Sequence, residues 1–301
     1  MKDIKKPKVS IWSITCNHAS FIEDCLESII GQKTNFKFEL IIGDDASTDG
    51  TSEILNTYAN RYPYIVKPIF HKKNVGMHET SLGSVYPRLI GEYIAICEGD
   101  DYWTDPNKLQ RQVDFLDDNS DVGGVATNSI IKYDDRPDGL FGIRKSRKVK
   151  FEEIVLGRQF HTATFMYRNN IIIPKGLSGL LAVDTPLFLL VAQKSSIYYM
   201  DYISAVYRRG SHGVTSTHDD LETEELKKYN DFLNQIAQEA GISLVDKEKV
   251  SWLLPRIIHY FGSKAEGLYF KIYPNAQRHI FDISIFNPLR RVCYRLGLLK
   301  K

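Results

Sequence analysis

Apolar runs alternate with amphipathic segments over residues 9–118 of the chain. Four of these runs have the length and the residue types of buried strands, and the segments between them have helical spacing. The runs are Val9–Thr15, Phe38–Ile42, Tyr64–Phe70 and Ile94–Cys97. This alternation, with its short connections, predicts an α/β domain with a mostly parallel central sheet that is flanked by helices on both faces.

The segment after the first predicted strand carries signals for both ends of a helix. Ser20 and Glu23 have the spacing of a capping box, in which each side chain accepts a hydrogen bond from the backbone of the other residue. Gly31 follows the last apolar residue of the segment, where glycine commonly ends a helix. The pattern therefore predicts a helix between Ser20 and Gly31.

Polar and acidic segments follow three of the predicted strands. The segments are Thr15–His18, Asp44–Asp49 and Glu98–Asp101. Because ligands of parallel sheets bind at the carboxyl ends of the strands, we expect these segments to converge on one site. Asp100 and Asp101 repel each other, and a divalent cation of the Mg²⁺ or Mn²⁺ type would offset that repulsion. A solvated acidic turn is the alternative interpretation.

Length and composition are those of a globular protein with one large core or two modest ones. The chain has 301 residues, and we expect an α/β domain over residues 1–218 and a helical extension over 219–301. The formal net charge of +2 is too small to indicate a nucleic-acid partner. Neither a metal-type cysteine spacing nor a hydrophobic signal segment is evident, so we expect a cytoplasmic protein with reduced thiols.

Two basic segments leave alternatives open. The run Arg144–Lys150 is interpreted as a solvated loop, with contact to an anionic substrate or membrane surface as the alternative. The segment Leu289–Lys301 has apolar side chains on one side of a helix and basic side chains on the other. Such a helix either docks on the body of the protein or lies peripherally on the inner face of a bacterial membrane.

Three motifs, in this order and spacing, resemble those of family 2 glycosyltransferases. They are Val9–Asn17, Glu39–Thr51 and Glu98–Trp103, and the last of them is similar to a DXD-like version common among bacterial polysaccharide transferases. The resemblance covers roughly residues 8–215 and implies the Rossmann-like GT-A fold. Two departures are the residues Ile14 and Cys16, which stand where the family usually has proline and tyrosine.

The resemblance also implies an activity. Its donor is a nucleotide-sugar, most often a UDP-sugar, and its cofactor is Mn²⁺ or Mg²⁺. The implied reaction is an inverting hexosyl or N-acetylhexosaminyl transfer to a glycan or a lipid-linked acceptor during surface polysaccharide synthesis.

Family motifs map onto particular residues of this chain. The resemblance implies that the nucleotide-sugar is held by Thr15, Asn17, Asp44, Asp45, Asn74, Gly76, Asp100, Arg208 and Arg209. It implies that the metal is held by Asp101, Asp100, Glu98 and His212. His161 and Trp103 are expected to line the site of the glycosyl acceptor. The alternatives are that Asp44 and Asp45 cap the next helix, that Asn74 and Gly76 are turn residues, and that His161 is structural.

Inverting members of the family also need a base that removes a proton from the acceptor hydroxyl. Asp184 is the best match, because it follows an apolar run and precedes a predicted helix. An N-cap before Pro186 is the alternative role for Asp184.

Two other classes of protein remain as rivals. A nucleotidyltransferase also uses paired carboxylates and a metal, but it needs a basic, glycine-rich loop after the first strand. Residues 15–21 contain neither glycine nor lysine nor arginine. A non-enzymatic nucleotide-binding α/β module would leave Asp184 and the segment Tyr207–His212 without a role.

Overall fold

The computed structural model describes residues 6–142, 144–156, 158–174, 183–209, 231–232, 235–236 and 238–239. The predicted helical extension therefore lies almost wholly outside the described residues, as do His212 and the segment Leu289–Lys301. The few residues of the extension that are described are helical, and Ile236 is buried against the main domain.

Strands and helices alternate along the described residues. The strands are β1 (Val9–Thr15), β2 (Phe38–Asp44), β3 (Val66–Phe70), β4 (Tyr93–Ile96), β5 (Tyr102–Trp103), β6 (Val122–Tyr133), β7 (Gly139–Leu140), β8 (Arg147–Val149), β9 (Met166–Arg168) and β10 (Ser196–Arg209). The α-helices are α1 (Ile22–Ile30), α2 (Thr51–Arg61), α3 (Lys108–Asp118), α4 (Phe151–Leu156) and α5 (Asp184–Lys194). A π-helical segment spans Glu79–Val85, and 3₁₀ turns span Tyr86–Arg88 and Thr162–Thr164.

The strands of the described residues form one sheet in the order β3-β2-β1-β4-β9-β6-β10-β5. The neighbours β3, β2, β1 and β4 are parallel, and so are β6 and β10. The short strand β9 is antiparallel to both β4 and β6, and β5 is antiparallel to β10. This topology confirms the predicted α/β class with a mostly parallel central sheet.

Side chains of each strand alternate between two hydrophobic clusters, one on each face of the sheet. Ile11 packs in the cluster that includes residues of α1, α2 and α3, whereas the neighbouring Trp12 packs in the cluster that includes α5. Helix α5 contributes Phe188, which is fully buried. None of the helices in the part of the chain that the structure describes has the length and hydrophobicity of a membrane-spanning segment.

Two local predictions are wrong. Helix α1 begins at Ile22 with Phe21 at the N-cap position, and both of their N–H groups donate to the His18 carbonyl (2.8 Å each), so no capping box forms at Ser20. The basic run is not simply a solvated loop, because Arg147–Val149 forms β8. Strand β8 pairs with β10, and the charge pattern of the run does not predict this pairing.

The turn before β4 depends on a glycine. A Cβ at Gly91 would lie 2.3 Å from the backbone nitrogen of Ser10 and 2.8 Å from the Tyr93 carbonyl oxygen. Both groups belong to the pairing region of β1 and β4, so neither can move freely.

We expect Gly91→Ala to lower the free energy of unfolding by about 1–3 kcal/mol, the usual cost of overpacking. The control is Gly139→Ala, where the added Cβ would lie 3.8 Å from the Tyr133 ring, an ordinary contact. Urea denaturation measures both variants. Equal stability of the two variants would contradict the prediction.

Candidate active site

The predicted convergence of strand ends is confirmed. The Asp45 N–H donates to the Thr15 carbonyl (3.0 Å), and the Gly99 N–H donates to the Ile14 carbonyl (3.0 Å). A Cβ at Gly99 would lie 2.6 Å from Thr15 Oγ1. The lack of a side chain at Gly99 therefore lets the acidic turn Glu98–Asp101 pack directly against the end of β1.

Asp44 joins the end of β2 to the loop before α2. One carboxylate oxygen accepts the Ser47 hydroxyl (2.5 Å) and the other accepts the Ser52 hydroxyl. At the start of α2, the Thr51 N–H donates to Asp49 Oδ1 (3.1 Å), so the cap-like bond comes from Asp49 rather than from Asp44. Asp44 is only 1% exposed and thus shapes the loop from within.

Asp45 fixes a second loop at the same edge. Its two carboxylate oxygens accept the N–H groups of Val75 (2.7 Å) and Gly76 (2.9 Å). Asn74 Oδ1 also accepts the Gly76 N–H (3.2 Å), and Gly76 has a φ of 88°, a left-handed conformation that favours glycine. Asn74 and Gly76 are therefore turn residues, and the turn is attached to the end of β2.

Asn17 connects the end of β1 to the loop that Asp44 shapes. Its N–H donates to Ser47 Oγ (2.8 Å), and its Oδ1 accepts the Thr48 N–H (2.8 Å). The backbone of Asn17 is left-handed, with a φ of 56°, which asparagine tolerates better than most residues. The structure thus brings Asn17 together with Asp44, Asp45, Asn74 and Gly76 at one edge of the sheet.

Asp101 is buried beneath the acidic turn, with 1% of its surface exposed. Its Oδ1 accepts the backbone N–H of Arg208 (2.9 Å), and its Oδ2 lies 3.3 Å from His161 Nε2. Burial raises the pKa of Asp101 well above its ordinary value, and the charges of Asp100 and Glu98 raise it further.

His161 is 1% exposed and lies inside the site. Its ring stacks on Tyr207, with 4.2 Å between the ring centroids. Burial lowers the pKa of His161 well below its ordinary value, and the charge of Arg158 lowers it further, so the imidazole is neutral and able to ligate a metal. Among the described residues, His161 Nδ1 has no hydrogen-bond partner although it is buried.

Glu98, Asp101 and His161 could hold a metal ion, because one ligand atom from each residue lies within 4.8 Å of the others. Two carboxylates and a neutral imidazole suit Mn²⁺, since imidazole favours transition metals. Burial raises the pKa of Glu98 to about 8, and the charges of Asp100 and Asp184 also raise it. Without a cation, the carboxyl group of Glu98 therefore retains its proton at neutral pH.

Arg208 connects the end of β10 to the acidic turn. Its guanidinium donates to the Asp100 carbonyl (2.9 Å), pairs with Asp24 and lies over the Tyr102 ring, 4.5 Å from the centroid. Arg208 therefore anchors the acidic turn to β10, and its contact with a diphosphate stays a prediction. Arg209 is exposed at the end of β10.

Trp103 is a core residue, which corrects the expectation that it lines the glycosyl acceptor site. It is 4% exposed, and its indole N–H donates to the Ala163 carbonyl (2.8 Å). The sequence placed Trp103 next to an acidic motif, but its pairing with β10 turns the ring inward.

Asp184 is the first residue of α5, as predicted. Its Oδ1 accepts the N–H of Thr185 (2.7 Å), and its Oδ2 pairs with Arg158 Nη2 (2.8 Å) and accepts the Thr162 hydroxyl (3.2 Å). The side chain is 17% exposed. Asp184 is also near enough to Glu98 for its charge to raise the pKa of Glu98.

Sequence reasoning missed Arg158 and Thr162 as parts of this site. Arg158 follows α4, in a region where the alternation of strands and helices is lost, and Thr162 begins a short 3₁₀ turn that has no clear sequence pattern. Only the contacts of both residues with Asp184 assign them to the site.

Residues 10–174 match the family model described as glycosyl transferase family 2. The chain belongs to this family. A relative in Mycobacterium tuberculosis, itself uncharacterized, is 36% identical over 208 residues, which are 68% of this chain and 60% of the relative. The chain thus covers about 60% of that relative's length.

Solved structures of similar proteins confirm the GT-A fold. Residues 1–349 of TarS of Staphylococcus aureus, in complex with UDP-GlcNAc, have a TM-score of 0.57 and 20% identity, with 98% of this chain and 93% of that TarS fragment covered. The mannosyltransferase PcManGT of Pyrobaculum calidifontis, in complex with GDP-Man and Mn²⁺, has a TM-score of 0.51 and 16% identity, with 98% and 85% covered. At these identities the similarity shows the fold alone.

The raised pKa of Glu98 predicts a pH-dependent stability. The pKa is 4.5 for an ordinary glutamate and about 8 in the folded protein, so the folded state binds more protons between these values. Stability that is present below pH 4.5 is therefore lost as the pH rises through 8. In metal-free protein, Glu98→Gln should raise the melting temperature at about pH 9 and change it little near pH 4.5.

The control is Glu53→Gln, which changes an exposed glutamate on α2. Its melting temperature should follow the wild-type curve at every pH. A Glu98→Gln curve that runs parallel to the wild-type curve would show that the Glu98 carboxyl group has no such proton linkage.

Proposed function

We propose that this protein is an inverting, metal-dependent glycosyltransferase. It moves a sugar from a nucleoside diphosphate donor, with a UDP-sugar as the preferred candidate, to a hydroxyl group of a glycan or lipid-linked acceptor. The observation that carries the proposal is a chain of contacts: Asp184 accepts the Thr162 hydroxyl, and the neighbouring His161 contacts Asp101 of the acidic turn. Membership of glycosyl transferase family 2 supports it.

The nucleotide would lie against the loops that follow β1, β2 and β3. Asn17 lies in the first of these loops, Asn74 and Gly76 lie in the third, and Thr15 at the end of β1 lies against the acidic turn. The carboxylates of Asp44 and Asp45 are already hydrogen-bonded, so we propose that they act by holding the loops in place. The UDP-GlcNAc complex of TarS supports a nucleotide-sugar donor.

Glu98, Asp101 and His161 would hold Mn²⁺ or Mg²⁺. Asp100 on the same turn and His212, which lies outside the described residues, are proposed as further contacts of the metal or of the diphosphate. When bound, the cation supplies positive charge that stabilises the leaving nucleoside diphosphate. The buried neutral imidazole of His161 and the Mn²⁺ complex of PcManGT support this assignment.

Asp184 is proposed as the base. Its carboxylate accepts the proton of the acceptor hydroxyl while the hydroxyl oxygen bonds to the anomeric carbon and the bond from that carbon to the diphosphate oxygen breaks. Arg158 and Thr162 hold Oδ2, and the Thr185 N–H holds Oδ1, so the carboxylate is oriented before the substrate arrives. Such orientation lowers the entropic part of the barrier.

We further propose that the reaction belongs to surface polysaccharide assembly at the cytoplasmic face of a bacterial membrane. The similarity of Glu98–Trp103 to the motif of bacterial polysaccharide transferases supports this setting. Residues 1–218 would form the catalytic domain and 219–301 a helical extension, whose segment Leu289–Lys301 either docks on the body of the protein or associates peripherally with the membrane.

The donor can be tested by thermal shift. UDP with Mn²⁺ should raise the melting temperature. At a UDP concentration of one hundred times the dissociation constant, binding adds about 2.7 kcal/mol to the free energy of unfolding. GDP should raise it less, and Glu98→Gln should remove the Mn²⁺-dependent part, whereas Glu53→Gln should keep it. If no nucleoside diphosphate shifts the wild-type melting temperature, the proposed donor is wrong.

The base can be tested with Asp184→Asn, which keeps the size of the side chain but cannot take up the proton. We expect unchanged donor binding and a loss of sugar transfer of about 10²–10⁴-fold. Transfer is measured as label that moves from a UDP-sugar into a bacterial envelope fraction.

The matched control is Asp201→Asn, which removes a carboxylate that pairs with Arg144 outside the site. It should transfer sugar like the wild type. Full transfer by Asp184→Asn would mean that another group is the base.

A further inference from the structure

Lys108 has no role in the mechanism described above, yet it is fully buried at the start of α3. Its Nζ donates to Gln112 Oε1 (2.7 Å) and lies 4.3 Å from the centroid of the Trp103 ring. A buried ammonium group is costly unless its contacts compensate for the lost water. Lys108 is therefore held in the interior by the Gln112 amide and the Trp103 ring.

The two partners of Lys108 both reach the same 3₁₀ turn, Thr162–Thr164. Gln112 Nε2 donates to the Thr164 carbonyl (2.8 Å), and Trp103 Nε1 donates to the Ala163 carbonyl (2.8 Å). Two consecutive carbonyl groups of the turn are thus held by side chains from α3 and β5. We refer to Lys108, Gln112 and Trp103 as the buried frame.

The turn that the buried frame holds carries groups of both halves of the site. The N–H and the hydroxyl of Thr164 donate to the His161 carbonyl (3.0 and 2.6 Å), which fixes His161 beside Asp101. The Thr162 hydroxyl donates to Asp184 Oδ2. A shift of this turn would therefore move the imidazole and the carboxylate of the proposed base together.

Lys108 also fixes the orientation of the Gln112 amide. In its protonated form Lys108 donates hydrogen bonds and accepts none, and the Thr164 carbonyl only accepts them, so the oxygen of the amide faces Lys108. The amide N–H₂ then has to face the Thr164 carbonyl. Burial lowers the pKa of Lys108 to about 7, and the groups whose charges oppose this are Cys97 and Asp105.

We propose that the buried frame is a set of positioning residues for glycosyl transfer: it fixes where His161 meets Asp101 and where Asp184 meets the acceptor hydroxyl. The inference rests on the proposed roles of Asp184 and His161. None of the three residues touches substrate or metal, so they act through the turn. A frame that served only core packing would change stability without changing the chemistry.

Two substitutions of Gln112 distinguish a positioning role of the buried frame from a role in core packing alone. Gln112→Glu keeps an oxygen for Lys108 but loses the N–H that donates to Thr164, and Gln112→Met loses both bonds. The control is Tyr93→Phe, which removes a buried hydroxyl that donates to Asp117 (2.5 Å) near the other end of α3. All three variants lose a hydrogen bond to a side chain of α3.

We expect both Gln112 variants to lose about 10–100-fold in kcat, the range seen when the residues that support metal ligands are replaced. The KM for the UDP-sugar should stay close to the wild-type value, because the loops after β1 and β2 are untouched. Tyr93→Phe should lose melting temperature but keep kcat. If the Gln112 variants keep wild-type kcat when assayed well below their melting temperatures, the frame only packs the core.

Lys108→Met gives a second measurement that needs no transfer assay. Removal of a positive charge should by itself strengthen the binding of a cation or leave it unchanged. Displacement of His161 should instead weaken Mn²⁺ binding, by about 10–100-fold. Electron paramagnetic resonance measures free Mn²⁺ during a titration and so shows whether the Mn²⁺ affinity rises or falls. Tighter or unchanged binding would overturn the proposal.

The two measurements also separate this inference from the proposed function. If the wild type binds Mn²⁺ but transfers no sugar, the proposed activity is wrong, and the Mn²⁺ affinity of Lys108→Met still decides whether the frame positions His161. If the wild type transfers sugar and the Gln112 variants do so equally well, the activity stands and the frame has no positioning role.

Discussion

The burial of the Asp101 carboxylate is the constraint on which the arrangement of the site depends. A carboxylate that water cannot reach must receive hydrogen bonds from the protein or give up its charge. Here the partners come from the backbone of Arg208 on β10 and from His161 before the 3₁₀ turn, both far away in sequence. The acidic turn, β10 and the segment before the 3₁₀ turn therefore meet at the buried Asp101. Glu98, which is partly exposed, lies at the edge of this cluster.

The nucleotide side of the site follows the same physical rule. Asp44 and Asp45 are buried and use their oxygens to hold the loops that carry Asn17 and Asn74. In both halves, buried acids orient backbone and side chains, and the less buried neighbours are left to meet ligands. Replacement of a residue that does not contact the ligand can therefore alter ligand binding, since the shape of each loop depends on a buried carboxylate behind it.

Much of the fold could be predicted because it follows from local pattern. The apolar runs of β1, β2 and β4 are continuous, and parallel strands place their polar ends at one edge, so the convergence of Thr15, Asp44 and Glu98 follows from topology. Asp184 was predicted as the base from its position before a helix, and the structure confirms the helix but does not test the role. The inward turn of Trp103 and the contacts of Arg208 could not be predicted, because they depend on β10 pairing with a two-residue strand.

Strand β9 joins the two groups of parallel strands in the sheet. It lies antiparallel between β4 and β6. Strand β4 precedes the acidic turn, and β6 belongs to the later half of the domain, which carries the proposed base Asp184. The pairing of β4 with β9 closes a loop of about seventy residues, and contacts of such long range form slowly because the loss of chain entropy comes first. Because His161 comes just before β9 in the chain, the pairing of β9 with β4 and β6 brings His161 to Asp101. The contact between His161 and Asp101 therefore depends on the complete sheet and not on either group of parallel strands alone.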